Sequence, residues 1–500
     1  MKIDINALPN DPAELKRLLI KQSQRLAFLE EQFRLVQQKR FGAASEAFPG
    51  QGELFNEAEE IALPAETVAV QETLTYTRHK PTRKPLPKDL PRETVYHDIA
   101  DEEKQCACCG GQLHPMGEDR SEKLEFIPAQ IKVIEHIRPK YACRACEKSG
   151  VHTPVRQAPL PAMPIRKGMA TSSLLSQLIT SKYQYGLPLY RQESLFKQYG
   201  IDLSRQTQSD WILKSAQLFA PLVARFRETL LQQPVLHADE TPVNVVTSDK
   251  TTNYMWVYCA GTDAPDLRSN TPNIVLYDYQ TSRSGTCAAG YLAGFQGYLH
   301  VDGYQGYEQT GARLVGCMAH ARRKFMSAKQ VQGKNKTGKA DLALSLIQSL
   351  YRVEQQIKGL SPAEKYRLRQ EKALPILDKL SAWLIKTQSQ MLPKSKLGEA
   401  VTYLSNQWPK LIRYLEDGRL SIDNNRAERA IKPFVIGRKA WLFSYTPRGA
   451  QASAILYSVI ETAKANGLIP FDYVMTCLDE LCQPAPDLEK LLPWKKQGGV

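Results

Sequence analysis

An α/β protein with one mixed β-sheet and large helical additions is predicted from three observations. After Leu231 the apolar spacing changes from a helical to a strand period, and three runs, Pro234–Val246, Tyr254–Cys259 and Asn273–Tyr277, follow one another between polar turns. A short helical stretch, Gly285–Phe295, separates these from two further strand-like runs, Gly297–Val301 and Arg313–Met318. Helical periodicity dominates on both sides, over 172–230 and 340–392.

Taken from the N-terminus, residues 11–40 carry Leu15, Leu19, Leu26, Leu29, Phe33 and Val36, an alternating three-and-four spacing that puts one apolar stripe on a long charged helix. The stripe suits either pairing with another copy or docking on the protein's own body, because Gln22 interrupts the seam. Residues 41–95 form a linker. Its first part has no Lys or Arg from Phe41 to Thr77 while seven Glu accumulate between Glu46 and Glu72; its second interleaves Arg78, Lys80, Arg83, Lys84 and Lys88 with Pro81, Pro85, Pro87 and Pro91. A stiff basic arm of that kind suits the phosphate backbone, with Arg83 and Lys84 as candidate contacts, and serves equally as a solvated tether.

Within residues 96–155, Cys106-Ala-Cys-Cys109 and Cys143-Arg-Ala-Cys146 make two Cys-x-x-Cys knuckles 33 residues apart, with a strand-like run over Ala129–Ile137 between them. Four thiolates delivered by two tight turns suit tetrahedral zinc, so Cys106, Cys109, Cys143 and Cys146 are assigned to a structural Zn2+. Cys108 is a spare thiol able to replace one of them, and His114 reads as a loop residue. Residues 165–230 read as helices. One stretch ends at Gly200, and Ser204 then caps a second helix that would present Arg205, Gln206 and Gln208, the outline of a helix-turn-helix or of an ordinary packed hairpin.

Three strands, a helix, a strand and a helix is the order of a ribonuclease H-like fold, over 231–326 and 420–448, with the first and fourth strands side by side. That arrangement brings together Asp239, in His-Ala-Asp-Glu-Thr, and Asp302, in His-Val-Asp-Gly-Tyr, at one end of the sheet. Glu428, in Asp-Asn-Asn-Arg-Ala-Glu-Arg, adds a third carboxylate from a helical segment. Hard divalent cations take such oxygen donors, and a pair of ions about 4 Å apart can hold both the attacking and the leaving oxygen of a phosphodiester displacement. Turn formation and helix capping are the bland account of the same residues.

The interval from Asp302 to Glu428 is 126 residues against 63 for the first pair, so a helical insertion is expected over 327–419, with Ser361-Pro-Ala-Glu364 a capping box. Pro433 is expected to kink or end the helix of Glu428 near Ile431. Asp423 is expected to cap it, and Glu240 to face away from Asp239. Arg322, Arg323 and Lys324 before the insertion, and Arg426, Arg429, Lys432, Arg438 and Lys439 around Glu428, are candidate phosphate contacts. His237 and His300 each precede an Asp by two and read either as tuning groups or as packed core. Cys317 and His320 share one turn and, lacking a second pair, read as structural. Residues 449–500 should supply two helices, Gly449–Lys464 and Pro470–Leu481, that buttress the sheet.

Charge and composition agree with this organisation. The chain of 500 residues suggests about three domains, and its net charge of +14 favours a polyanionic partner. No apolar run approaches the ~20 residues of a membrane helix, and the start lacks the apolar core of a signal peptide, so a soluble cytoplasmic protein is expected. Ten cysteines, five of them between Cys106 and Cys146, indicate a reduced chain with a local metal site.

The residues around Asp239 and Asp302, with Gly316-Cys-Met-Ala-His-Ala-Arg-Arg-Lys-Phe325 and Asp423-Asn-Asn-Arg-Ala-Glu-Arg-Ala-Ile-Lys-Pro433, resemble the DDE transposases of the insertion sequence 66 family. The likeness runs over nearly the whole chain, including the N-terminal zipper, Arg40-Phe-Gly-Ala-Ala-Ser-Glu46, the basic arm and the knuckles. It implies that Asp239, Asp302 and Glu428 bind two Mg2+ ions, with Mn2+ as a substitute. It also implies cleavage at transposon ends followed by 3′-hydroxyl attack on target DNA, an assembly of at least two copies beside the nucleoid, and small accessory proteins. A DNA-binding regulator with a degenerate core, and a nuclease that cuts without joining, are the alternatives.

Overall fold

The computed structural model describes residues 11–41, 94, 131–141, 156–166, 168–250, 252–262, 272–331, 338–392 and 394–495. The zinc knuckles, the acidic linker and the basic arm with Arg83 and Lys84 lie outside them. The chain divides into two compact units, Ala65–Ala158 and the remainder.

The N-terminal helix α1 (Pro12–Phe41) occupies the stretch the leucine spacing marks. Leu19, Leu26, Leu29 and Phe33 are exposed along it, while Glu31 accepts the backbone N–H of Lys396 at 2.8 Å. In the smaller unit, β1 (Lys140–Tyr141) pairs antiparallel with β2 (Arg156–Gln157). The strand expected over Ala129–Ile137 is therefore displaced, since residues 131–137 join no ladder among the described residues. A β-branched run becomes a strand only where a partner strand is available.

Three helices follow: α2 (Ser172–Tyr183), α3 (Leu189–Gln198) and α4 (Arg205–Leu231). Gly200 takes φ +74° after α3, and Ser204 Oγ accepts the N–H of Thr207 at 3.2 Å to start α4. Arg205 and Gln206 are exposed, whereas Gln208 is buried and donates to the Leu203 carbonyl at 2.9 Å. Gln208 is thus withdrawn from the face expected to meet DNA. Trp211, Phe219 and Phe226 pack one face of this 27-residue helix into the main core.

The sheet is built from β3 (Val235–Val243), β4 (Asn253–Ala260), β5 (Ile274–Gln280), β6 (Tyr298–His300) and β7 (Arg313–Val315), in the order β5-β4-β3-β6-β7. Strands β3, β4 and β5 form an antiparallel meander. After α5 (Gly285–Tyr291) the chain returns to lay β6 parallel to β3, and β7 parallel to β6. Strands β4 and β5 are buried on both faces, which is why they read as continuous apolar runs rather than alternating ones.

Helix α6 (Met318–Gln330) leads into the insertion, which comprises α7 (Lys339–Gln356), α8 (Pro362–Leu368), α9 (Leu374–Gln388) and α10 (Lys396–Leu411). It has a hydrophobic core of its own, which takes in Met318 and Phe325 of α6. The capping box at Ser361 forms as expected. Between α8 and α9 the chain passes through a π-helical turn, Arg369–Ala373, that turns Arg369 inward.

Three helices close the chain: α11 (Asn425–Trp441), α12 (Pro447–Ala465) and α13 (Pro470–Leu481). Helix α11 runs through Pro433 instead of ending there. Phe434 and Ile431 are buried beside the proline, and the Tyr277 hydroxyl donates to the Ala430 carbonyl in the same turn, so packing against the core and this tie to β5 hold the helix through it. Helix α12 covers the open edge of β5. Ser458, Thr462 and Asn466 bond the backbone at Tyr277, Val275 and Asn273, with Ser458 Oγ accepting the Tyr277 N–H at 2.8 Å and Asn466 Nδ2 donating to Asn273 at 2.6 Å. Every fourth helical residue rises about 6 Å and every second strand residue about 6.7 Å, so the two repeats stay in step and the edge is sealed.

Candidate active site

Register brings the first two carboxylates to one place. His237 of β3 stands opposite His300 of β6 in the parallel ladder, and Asp239 and Asp302 each follow two residues later, at the same end of neighbouring strands. Asp239 Oδ1 accepts the N–H of Glu240 at 2.9 Å, and Asp302 Oδ1 that of Tyr304 at 2.8 Å. Burial pushes the Asp239 carboxyl well above the usual range, and the charges of Glu240, Asp302 and Glu428 push it further in the same direction. Neighbouring negative charges of that kind are what a bound cation relieves.

Glu428 enters from the first turn of α11. Its Oε1 lies 3.5 Å from His320 Nδ1 and its Oε2 3.6 Å from Arg323 Nη2, and Cys317 Sγ, His320 and Glu428 present ligand atoms within 4.8 Å of one another. His320 is a residue that sequence reasoning set aside, because its partner carboxylate is more than a hundred positions away. The signal was the shared turn of Cys317 and His320 at the start of α6, which needed a third donor from elsewhere.

Asn424 fixes that turn. Its Nδ2 donates to the Ala238 carbonyl at 2.8 Å, its Oδ1 accepts from His237 Nδ1 at 3.0 Å, and its N–H meets Cys317 Sγ at 3.2 Å. One buried amide therefore ties the start of α11 to the strand residue before Asp239 and to the start of α6. Asp423 accepts the Asn425 N–H at 3.2 Å, while Asn424 holds the cap position itself. Burial raises the Asp423 carboxyl to about 6, against the pull of the Asn425 N–H.

His237 and His300 stack with ring centroids 4.4 Å apart. Burial lowers His237 to about 3, helped by Arg426, and lowers His300 well below 6.5, helped by His237. Both are therefore neutral, with His300 Nε2 accepting the Ser421 N–H at 3.2 Å. Because both native values fall below the ordinary 6.5, the stability due to the neutral pair is complete above that pH and is lost as pH falls through 6.5 toward about 3. A His237→Gln variant should lose less of its pH 7 melting temperature on going to pH 5 than the wild type does; an equal or steeper fall would contradict the neutral pair.

Glu240 faces the other side, where its carboxylate accepts from Arg283 Nε at 2.8 Å and from the Tyr307 hydroxyl at 2.5 Å. The cations around Glu428 divide into two kinds. Arg426 Nη2 donates to the Ala260 carbonyl at 2.5 Å and to Asn273 Oδ1 at 3.1 Å, and Arg438 Nη1 donates to Thr241 Oγ1 at 3.1 Å and to the Pro242 carbonyl. These two guanidiniums pin α11 to the sheet. Lys439 is exposed, Arg322, Arg429 and Lys432 are half-buried, and Arg323 sits on Glu428.

Comparison with known proteins places the chain in a family. A family model described as "Transposase IS66 family" matches residues 167–452, spanning all three carboxylates. Three further models match: a zinc-finger binding domain of transposase IS66 over 103–147, "Transposase C of IS166 homeodomain" over 28–95, and an IS66 C-terminal element over 458–494. The chain belongs to the IS66 family of transposases. Among curated relatives, the uncharacterized protein y4jD of Sinorhizobium fredii is 35% identical over 82% of this chain and 81% of its own length. Protein y4qI of the same organism, also uncharacterized, is 33% identical over 96% and 91%. No solved structure matches. No helix among the described residues is long and apolar enough to cross a membrane.

Proposed function

We propose that the chain is a DDE transposase that cleaves transposon ends and joins them to target DNA through Asp239, Asp302 and Glu428. The observation that carries this reading is that Asp239 and Asp302 each follow by two a residue paired between neighbouring strands, with the charges of Asp302 and Glu428 both acting on the Asp239 carboxyl. The sheet order, an antiparallel meander followed by two parallel strands, with Asp239 in β3 and Asp302 just past the neighbouring β6, supports a ribonuclease H-like core.

The donors fit hard divalent cations: three carboxylates, with Glu428 Oε1 buried and without a hydrogen-bond partner. Two Mg2+ ions, or Mn2+ in their place, would activate the attacking oxygen and stabilise the departing one. Asp239 and Asp302 are held in place by the Glu240 and Tyr304 N–H groups, which leaves the second oxygen of each carboxylate outside those bonds. Asn424 holds the helix of Glu428 against β3, so the third carboxylate is positioned by the strand that carries the first. Water attacks in cleavage and the freed 3′-hydroxyl in joining, with no side-chain nucleophile. Exposed Arg205, Gln206 and Lys439, with Arg322, Arg429 and Lys432, are assigned to DNA. The uncovered leucine stripe of α1 supports an assembly of at least two copies.

End-bearing labelled DNA, incubated with wild type and with Asp302→Asn in Mg2+ or in chelator, tests this reading. Cleaved and joined products are expected only from wild type with metal. Cleavage without joining under every condition would favour a simple nuclease, and activity surviving Asp302→Asn would overturn the site. The matched zinc-finger segment and its two knuckles support a structural zinc on Cys106, Cys109, Cys143 and Cys146. One zinc per chain is expected by elemental analysis, falling to near none in Cys143→Ser. A zinc content unchanged by that substitution would exclude Cys143 as a ligand.

A further inference from the structure

We propose that His320 is a nitrogen ligand to the cation held by Glu428, and that it makes this position favour Mn2+ over Mg2+. The inference rests on the carboxylate reading above and extends it to a residue outside the acidic triad. His320 lies in the first turn of α6 and Glu428 in the first turn of α11. The two helix starts are drawn together through Asn424, whose N–H meets Cys317 Sγ and whose amide holds β3.

Two buried atoms at the helix starts are orphaned. His320 Nδ1 and Glu428 Oε1 are both buried and both lack a hydrogen-bond partner, although they stand only 3.5 Å apart. A buried ring nitrogen and a buried carboxylate oxygen left unbonded each lose free energy that one shared partner would restore. A cation satisfies both at once, because each atom can offer it a lone pair. Cys317 Sγ belongs to the same cluster, but it already receives the Asn424 N–H and its residue is only 1% exposed, so it is assigned to holding the turn. Arg323 Nη2 lies 3.6 Å from the other oxygen of Glu428.

Imidazole changes which ion is preferred. Mg2+ takes an all-oxygen octahedral shell and gives up water reluctantly, whereas Mn2+ and later transition ions accept imidazole nitrogen beside carboxylate. An all-carboxylate site would discriminate less between them. Losing a partner of a bound metal weakens affinity on the order of tenfold or more, so the Mn2+ preference should fall by about that factor when His320 is replaced.

The test uses the full-length protein with its zinc, titrated with Mn2+ and observed by pulsed electron paramagnetic resonance. Wild type is expected to show 14N coupling to bound Mn2+. His320→Ala and His320→Asn should lose that coupling, bind Mn2+ about tenfold more weakly, and keep their Mg2+ affinity. His237→Gln should keep the coupling. Mn2+ bound to wild type without nitrogen coupling overturns the inference about His320 and leaves the carboxylate site intact. Coupling that persists in His320→Ala, or that vanishes in His237→Gln alone, assigns the nitrogen elsewhere and also overturns it. If wild type binds neither ion, the carboxylate reading fails and this one with it. Should the His320 variants fail to fold, as judged by metal-free melting, the wild-type spectrum still decides.

Discussion

Asp239→Asn is expected to abolish cleavage and joining while making the metal-free protein more stable. Charge stabilisation by a bound cation is worth several kcal/mol in the transition state, and at about 1.4 kcal/mol per decade its loss lowers the rate by roughly a thousandfold or more. The stability change has the opposite sign. The native carboxyl of Asp239 titrates above its unfolded value of 3.8 because of burial and of the charges of Glu240, Asp302 and Glu428. Through the window between 3.8 and that raised value the native state binds the extra proton, so its contribution to stability is full below 3.8 and is lost as pH rises. Asparagine removes this slope. Above the window the variant should melt roughly 2 °C or more higher than wild type without metal, and saturating Mg2+ should raise wild type but not the variant. Scanning calorimetry at neutral pH, with chelator and with Mg2+, measures both. A variant that melts lower than wild type in chelator would mean that the carboxylate contributes to stability and is not held there for a cation.

The second large effect lies away from the carboxylates. Arg369 is 2% exposed, and all five of its N–H donors are used: Nε and Nη2 on Glu354 at 2.9 and 2.7 Å, Nη2 on Leu420 at 2.8 Å, and Nη1 on the Tyr414 and Asp417 carbonyls at 2.9 and 3.1 Å. The segment it clamps leads directly to Ser421, which donates to His300, and then to Asn424 and α11. Arg369→Met should cost about 3–5 kcal/mol, because it leaves a carboxylate and three carbonyls without their donor. Arg369→Lys should recover only part, since an ammonium cannot reproduce the planar fork. Denaturant titration gives the loss, and hydrogen exchange should show 414–424 opening first. Unchanged stability in Arg369→Met would mean that the clamp is dispensable.

Nothing in the spacing of residues forecast that clamp. Ser361–Leu392 has apolar residues at helical spacing, and the π-helical turn that swings Arg369 inward adds a residue to the turn without any local marker in the sequence. Pro433 shows the same limit from the other side. A proline inside a helix argues for a break, yet Tyr277, from a strand more than 150 positions earlier, supplies a hydroxyl to the turn that the proline disturbs. Gln208 has the composition of a DNA reader and the burial of a core residue. Arg426 and Arg438 stand among basic residues beside Glu428, but backbone carbonyls of β3 and β4 were the nearer acceptors.

The amino-acid sequence by itself determined most elements and their kinds: the strand runs after Leu231, the inserted helices, and the two closing helices. It also determined that Asp239 and Asp302 share an offset from the paired His237 and His300, because strand periodicity and register are local properties once two strands are neighbours. Only the tertiary structure decided what surrounds Glu428. His320, Arg323 and Asn424 reach it or its helix from distant positions in the chain, and which polar atoms end up sharing a buried space depends on how helices pack, not on their spacing along the sequence.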